Sequence, residues 1–368
     1  MQTESTALDL SHVDYSALTD TVSRADVRAF RAQTKAARRA DPTISTGFAT
    51  ATSVATILGL VFIGGTFLVV FVILMVGMIG SSIADSGPGI GGLVFPFVFL
   101  VIVATIGLVA AVSVFGSGGH WMKWMRLSRF AGANGLQYRS TSPQPSYPGC
   151  VFNHGDARRA YDHLTTVSGR FLDLGNYEYS TGSGKSRTTH HWGFLAMNLD
   201  RNLPNIVLDS KANNGLFGST NLPASFNKNQ VLSLEGDFDK YFTLYCPKEY
   251  EQDALYIFTP DLMALLIDDA SPFDVEIVDN WLFLYSARPF QSLAAATYQR
   301  LFRIVQTVGA KTVSQTERYH DDRVGSASAN IVAPAGQRLR HGVSVSSLVI
   351  FGVIVVIWVV NVVQGFGH

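Results

Sequence analysis

The sequence predicts an α-helical membrane anchor of three transmembrane helices plus an α+β cytoplasmic domain with mainly antiparallel strands and a long C-terminal helix. Three observations predict it. Of 368 residues, 47% are hydrophobic and only 15% are charged, which is too apolar for an ordinary water-facing surface. The stretches 42–84, 86–122 and 341–368 contain no Asp, Glu, Lys or Arg, and each is long enough for the ~20 apolar residues that cross a ~30 Å hydrocarbon core. Between the second and third stretches, short strand-like runs are followed by helical patterns, the arrangement of an α+β domain.

Residues 1–20 are polar and acidic and read as a mobile segment. Arg24, Arg28, Arg31, Lys35 and Arg38 then recur at steps of 4, 3, 4 and 3, which places them on one helical face. Thr21 or Ser23 caps this helix, and it stops before Pro42. The stripe is a candidate contact for anionic lipid headgroups, at about 1 kcal/mol per basic residue; topology signalling alone accounts for it equally well. Residues 1–46 form this N-terminal segment, and 47–119 hold two spans, Val54 to Ile79 and Leu93 to Val114. Gly47, Ala51, Ala55 and Gly59 form a small-residue ridge, and Pro96 suggests a kink. A third span, Val345 to Val363, lies within 343–364.

Basic residues flank the spans on one side: Arg28 to Arg39 before the first, Lys123, Arg126 and Arg129 after the second, Arg338 and Arg340 before the third. They predict a multi-pass plasma-membrane protein with its N-terminus and main domain cytoplasmic and its C-terminal tail outside. Charge-free spans argue against an ion pathway. The balance of 28 Lys+Arg against 28 Asp+Glu gives no argument for a nucleic-acid partner.

The domain spans 131–333 and opens with a loop from Ser140 to Pro148. Strands are expected at Arg158 to Thr166, Gly169 to Ser180, Arg187 to Leu199, Asn205 to Ser210, Gln230 to Glu235, Lys240 to Tyr245 and Ala254 to Phe258. Thr259 and Pro260 open a short helix through Leu266. Asp274 to Val278 and Trp281 to Ser286 read as a hairpin turned at Asp279-Asn280, and a helix from Gln291 to about Asp322 closes the domain. A pleckstrin-homology-like barrel is compatible with this order.

No motif assembles a catalytic, cofactor or metal site. Gly182-Ser183-Gly184-Lys185-Ser186 has the end of a phosphate-binding loop, but Tyr179 stands where the first Gly belongs and a strand follows. His190 and His191 are adjacent and point to opposite strand faces; neither they nor His154 and His163 have ligand spacing to a Cys or carboxylate. Cys150 and Cys246 are in no paired motif. Glu235, Asp237 and Asp239, and Asp268, Asp269, Asp274 and Glu276, are acidic clusters that read first as solvated strand ends.

The block Leu234 to Phe242, with Glu235, Asp237 and Lys240-Tyr241-Phe242, and the block ending Thr259-Pro260-Asp261-Leu262-Met263 resemble a family of bacterial membrane proteins of unknown function. Gly175 to Lys185 with His191-Trp192-Gly193 is similar to its actinobacterial branch. The resemblance implies an anchored cytoplasmic domain and carries no activity, ligand or catalytic residue with it.

The function expected is a membrane-anchored, non-enzymatic binding or scaffolding module. Tyr177, Tyr179, Lys185, Arg187 and Trp192 form its candidate interaction surface, although cross-strand packing is the commoner role for any one of these aromatics. Its expected partners are the lipid bilayer, anionic headgroups, and another membrane or cytoplasmic protein. The alternatives are a membrane-bound enzyme using the acidic cluster from Asp268 to Glu276, which requires convergent carboxylates in a pocket, and an accessory subunit of a membrane transport complex.

Overall fold

The computed structural model describes residues 10, 12–40, 119–215, 219–325 and 329–342, with positions 355 and 358 besides. The chain divides into a unit of Thr21–Met125 and a unit of Met1–Asp20 with Arg126–His368. Ser16–Thr19 (α1) belongs to the second unit and Arg24–Ala40 (α2) to the first.

Helix α2 forms where the basic stripe predicts it. Ser23 Oγ accepts from the Asp26 amide at 3.1 Å, and Asp26 Oδ2 accepts from the Ser23 amide at 3.1 Å. This reciprocal cap satisfies two N-terminal donors at once. Arg24, Arg28, Arg31 and Lys35 are exposed, and the Arg31 guanidinium lies 5.5 Å from the Trp121 ring centre.

The structure corrects the fold class read from composition. Among the described residues no helix is long and apolar enough to cross a membrane. The reason is visible in the helices themselves: α2 carries the basic stripe, and the longest helical run of the other unit, 295–316, includes Arg300, Arg303 and Lys311. The three-span anchor and the multi-pass plasma-membrane placement are therefore not supported. The apolar runs, the small-residue ridge and Pro96 lie outside the described residues, positions 355 and 358 excepted. What the structure describes is an antiparallel sheet domain with several helices.

That domain is built on seven strands, Leu136–Pro143 (β1), Asp156–Thr166 (β2), Leu172–Thr181 (β3), Thr188–Ser210 (β4), Val231–Leu232 (β5), Phe242–Tyr245 (β6) and Asp274–Ser286 (β7). Their order is β1-β2-β3-β4-β6-β5 with β7 on β4, every pair antiparallel. Among the described residues no pairing closes it into a barrel. The helical residues 126–133 (α3), Phe238–Tyr241 (α4), Glu251–Ile257 (α5), Pro260–Leu265 (α6), Ala295–Ile304 (α7), Ala310–Thr316 (α8) and Pro334–Gln337 (α9) complete it. Two π turns interrupt regular helix: Leu266–Ala270 extends α6, and Val305–Gly309 joins α7 to α8.

Several local expectations change. The expected strand at Ala254 to Phe258 is helix α5, with Glu251 and Asp253 in its first turn where acids suit the helix dipole. The expected hairpin across Asp279-Asn280 is one continuous strand, and the positive φ of Asp279, 53°, marks a kink rather than a reversal. The two strands expected on either side of 200–204 are one long β4, whose register against β7 shifts between Asn198 and Ile206. Strand β1 enters the segment expected as a loop, and the last long helix stops at Thr316. Residues 12–20 are tied down: Arg126 donates to the carbonyls of Leu18 at 2.7 Å and Asp20 at 2.6 Å, and Asn134 exchanges hydrogen bonds with Asp14.

Both faces of the sheet are buried. One carries an aliphatic core with Leu174, Leu195, Ile277 and Leu284 packed with Leu262, Leu301 and Phe302 of the helices. The other carries an aromatic core of Tyr177, Tyr179, Trp192, Phe194, Phe283 and Tyr285 around Phe152, which comes from the connection between β1 and β2.

Candidate functional site

The aliphatic side of the sheet leaves a cleft of about 600 Å³ where Val305–Gly309 and α8 pass over the start of β3 and the middle of β4. Its floor is apolar, with Leu172 and Met197 from the strands and Val305, Ala310 and Val313 from the helices. The π turn shapes it, because five-residue spacing widens one turn and sets Gly309 against Met197. A Cβ added at Gly309 would lie 3.0 Å from Met197 Cε, so a larger residue there would force the Met197 side chain to shift.

The rim is polar. Arg170 grips Asp200 through two bonds of 3.0 and 2.8 Å, and its Nη1 also donates to the Asn198 carbonyl at 2.9 Å. Bidentate geometry holds this pair in one place more firmly than a single surface contact. Gln306, Ser314 and Glu317 are exposed around the rest of the opening. Arg170 and Asp200 cancel, which leaves the Glu317 carboxylate as the net charge of the rim.

A second cleft of about 540 Å³ lies beside α5, where charged groups such as Asp253 and Arg323 alternate with the rings of Tyr256 and Tyr319. Arg323 donates to Asp253 Oδ2 at 3.0 Å and to Asp321 Oδ1 at 3.1 Å, while Tyr250 donates to Asp321 Oδ2 at 2.6 Å. Asp253 and Arg323 of its lining are thus paired, and with Tyr250 and Asp321 they tie the chain after α8 to α5.

The sequence-nominated residues are distributed differently from expectation. Tyr177, Tyr179 and Trp192 are buried in the aromatic core, whereas Lys185 and Arg187 are exposed at the β3–β4 turn, so the five do not share one surface. The acidic cluster does not converge either. Asp268 is exposed, and Asp269 pairs with Arg303 at 2.9 Å and accepts from Thr307 at 2.7 Å. Asp274 and Glu276 are buried on the aromatic face of β7. Asp239 accepts from Ser233 and from the Leu234 amide, closing its own turn.

Glu276 accepts from the Cys150 amide at 2.7 Å, from Tyr285 Oη at 2.8 Å and from Asn205 Nδ2 at 3.2 Å. Burial raises its pKa against those hydrogen bonds, and burial also pushes the Cys150 thiol well up, the adjacent Glu276 adding to it. A thiol so disfavoured as thiolate is a poor nucleophile. Among the described residues no group of three His, Cys, Asp or Glu side chains is placed to hold a metal ion. The cleft was not legible in the sequence, because a π turn has no composition signature and its two walls are more than a hundred residues apart.

No family description matches the chain, and no curated protein matches its sequence significantly. Among solved structures, the crystal structure of the mycobacterial trehalose monomycolate transport factor A, TtfA, is similar over 51% of this chain and 93% of its own, at 12% identity and a TM-score of 0.35. A likeness at that level carries neither fold nor function to this chain.

Proposed function

We propose that the domain is a binding module whose ligand is a small molecule with an apolar body and an uncharged polar end, held in the cleft beneath the π turn. One observation carries this: an apolar floor of Leu172, Met197, Val305, Ala310 and Val313 under a polar rim, with room for a ligand of ordinary size. The rim selects against an anionic end, because its cation is already paired to Asp200 and Glu317 adds a negative charge. Gln306 and Ser314 supply neutral donors and acceptors instead. A module of this kind is compatible with an accessory role in transport, in which a ligand is held and passed on.

The test is binding of an environment-sensitive dodecyl probe with a hydroxyl head to the purified full-length chain, beside Ala310→Trp. Ala310 is exposed at the cleft wall, so the indole fills the cleft without entering the core. Affinity is expected to fall at least about tenfold, equivalent to about 1.4 kcal/mol, and a carboxylate-headed probe should bind the unaltered chain more weakly than the hydroxyl one. Equal binding by both proteins would place the probe elsewhere and remove the cleft as the ligand site.

A further inference from the structure

On the opposite face of β3, three side chains from neighbouring strands form a chain of hydrogen bonds. Ser142 Oγ on β1 lies 2.8 Å from His163 Nε2 on β2, and His163 Nδ1 lies 2.7 Å from Asp173 Oδ1 on β3. The second oxygen of Asp173 accepts from Tyr147 Oη at 2.6 Å. We propose that Ser142, His163 and Asp173 form a catalytic relay in which Ser142 Oγ is an acyl-accepting nucleophile, a site separate from the cleft.

The order of burial is the order such a relay requires. Asp173 is 2% exposed and His163 3% exposed, while Ser142 is half-buried at the end of an edge strand. Ser142 is only partly buried, so its hydroxyl does not depend on a buried imidazole for a partner. The backbone is bent to bring that imidazole there. Asp162 has φ 47°, and the β2–β3 register shifts by one residue between Tyr161 and Leu164. The shift is a bulge that turns His163 toward the aromatic face, with its ring centre 6.5 Å from Phe194. A non-glycine residue at positive φ costs roughly 1–3 kcal/mol and persists where surrounding structure holds it. Tyr138 Oη does so by donating to Asp162 Oδ1 at 2.8 Å. Gly175 supplies the space: a Cβ there would sit 2.3 Å from His163 Cβ.

The three side chains supply the nucleophile, the base and the orienting carboxylate that ester cleavage uses. Ser142 Oγ attacks the ester carbonyl carbon as its proton passes to His163 Nε2, and Asp173 stabilises the imidazolium through Nδ1–H. The carbonyl–alkoxide bond breaks and the alcohol leaves with the proton from Nε2. Water then adds to the acyl-serine, giving its proton to Nε2; the acyl–Oγ bond breaks, Ser142 recovers that proton, and a carboxylic acid departs. The substrate class is an ester small enough to reach an edge-strand hydroxyl.

The test is labelling of the full-length chain by a fluorophosphonate probe, with the modified serine located by peptide mass spectrometry. Ser142 is expected to label about 10²-fold faster than the other exposed serines, the lower end of a general base's contribution. Ser142→Ala should abolish that label, and Asp173→Asn should slow it at least tenfold with the thermal midpoint of Ser142→Ala kept within about 2 °C of the unaltered chain. Labelling of Ser142 at the rate of other surface serines would overturn the proposal. That readout needs only the unaltered protein, so it decides even where a variant misfolds, and it is independent of probe binding in the cleft.

Discussion

Replacing Asp274 by Asn is expected to stabilise the protein above pH 7 and to change little near pH 4. Asp274 is fully buried on β7, and its pKa is pushed up to about 7, chiefly by burial, with Asp209 adding to the rise and the Ser210 amide opposing it. The native state therefore holds a proton that the unfolded chain has already released between the ordinary aspartate range and pH 7. Raising the pH through that window favours unfolding, because the unfolded state binds fewer protons than the native one. A rise from 3.8 to about 7 corresponds to a penalty on the order of 4 kcal/mol once the group is forced to ionise.

Asparagine removes the charge and keeps the contact that matters. Its Oδ1 can accept from the Ser210 amide, now 2.8 Å from Asp274 Oδ1. Its amide nitrogen replaces Oδ2, which has no hydrogen-bond partner of ordinary geometry among the described residues; the Asn213 side chain nearby opposes the pKa rise, and the Asp209 carboxylate repels the charge that the substitution removes. Chemical denaturation at pH 4.5 and pH 8 measures the effect. The variant should gain on the unaltered chain by several kcal/mol at pH 8 and show a shallower fall between the two pH values. A residual slope is expected, since Glu276 and Asp209 are also raised by burial. An unchanged slope would mean that Asp274 already ionises freely in the native state.

The sheet was legible in the sequence where one period dominates. The runs at 158–166 and 169–180 became β2 and β3 because their leucines, tyrosines and other strand-favouring residues fit a pleat whatever covers it. Local turn chemistry misled where tertiary pairing outweighed it. Asp279-Asn280 has the residues of a tight turn, yet β4 runs alongside β7 past that point, and a kink at Asp279 costs less than breaking the ladder. Ala254 to Phe258 is short enough for either structure, and the acids just before it, Glu251 and Asp253, favoured the helix.

The functional residues were harder to read for a related reason. Tyr177 and Tyr179 share a strand face, which the alternation shows, but not whether that face meets water. The cover is a connection rather than an element, and Pro143 to Gly155 has no periodicity to announce it. Ser142, His163 and Asp173 stand on three strands, and the bulge that aims His163 depends on Asp162, an ordinary residue in an unusual conformation. No spacing rule in one sequence brings them together. Composition pointed instead to 42–118 and 343–368, which lie outside the described residues except for positions 355 and 358, and it contributed nothing to the sheet domain.

Phe152→Ala is expected to cost about 3–5 kcal/mol, the range for removing a fully buried phenyl ring without collapse of the space it leaves. The ring has no exposed surface, and its centre lies 4.8 Å from Tyr177, 5.0 Å from Tyr147, 5.3 Å from Phe194 and 5.6 Å from Phe283. Those partners are fixed to two strand pairs and one loop, so they cannot close over the gap together. The backbone contacts survive truncation: the Phe152 carbonyl still accepts from Tyr177 Oη at 2.9 Å and its amide still donates to Gly149 at 3.1 Å. The loss is therefore one of packing, and Phe152→Leu should recover more than half of it. Equilibrium denaturation gives the magnitude, and thiol titration of Cys150 gives the location. Two residues from Phe152, Cys150 is held through its amide to Glu276, so loosening the cover should raise its reaction rate with a thiol reagent before global unfolding. A loss below about 1 kcal/mol with unchanged Cys150 reactivity would mean that this connection does not bury the aromatic face, and Tyr177, Tyr179 and Trp192 would return as surface residues.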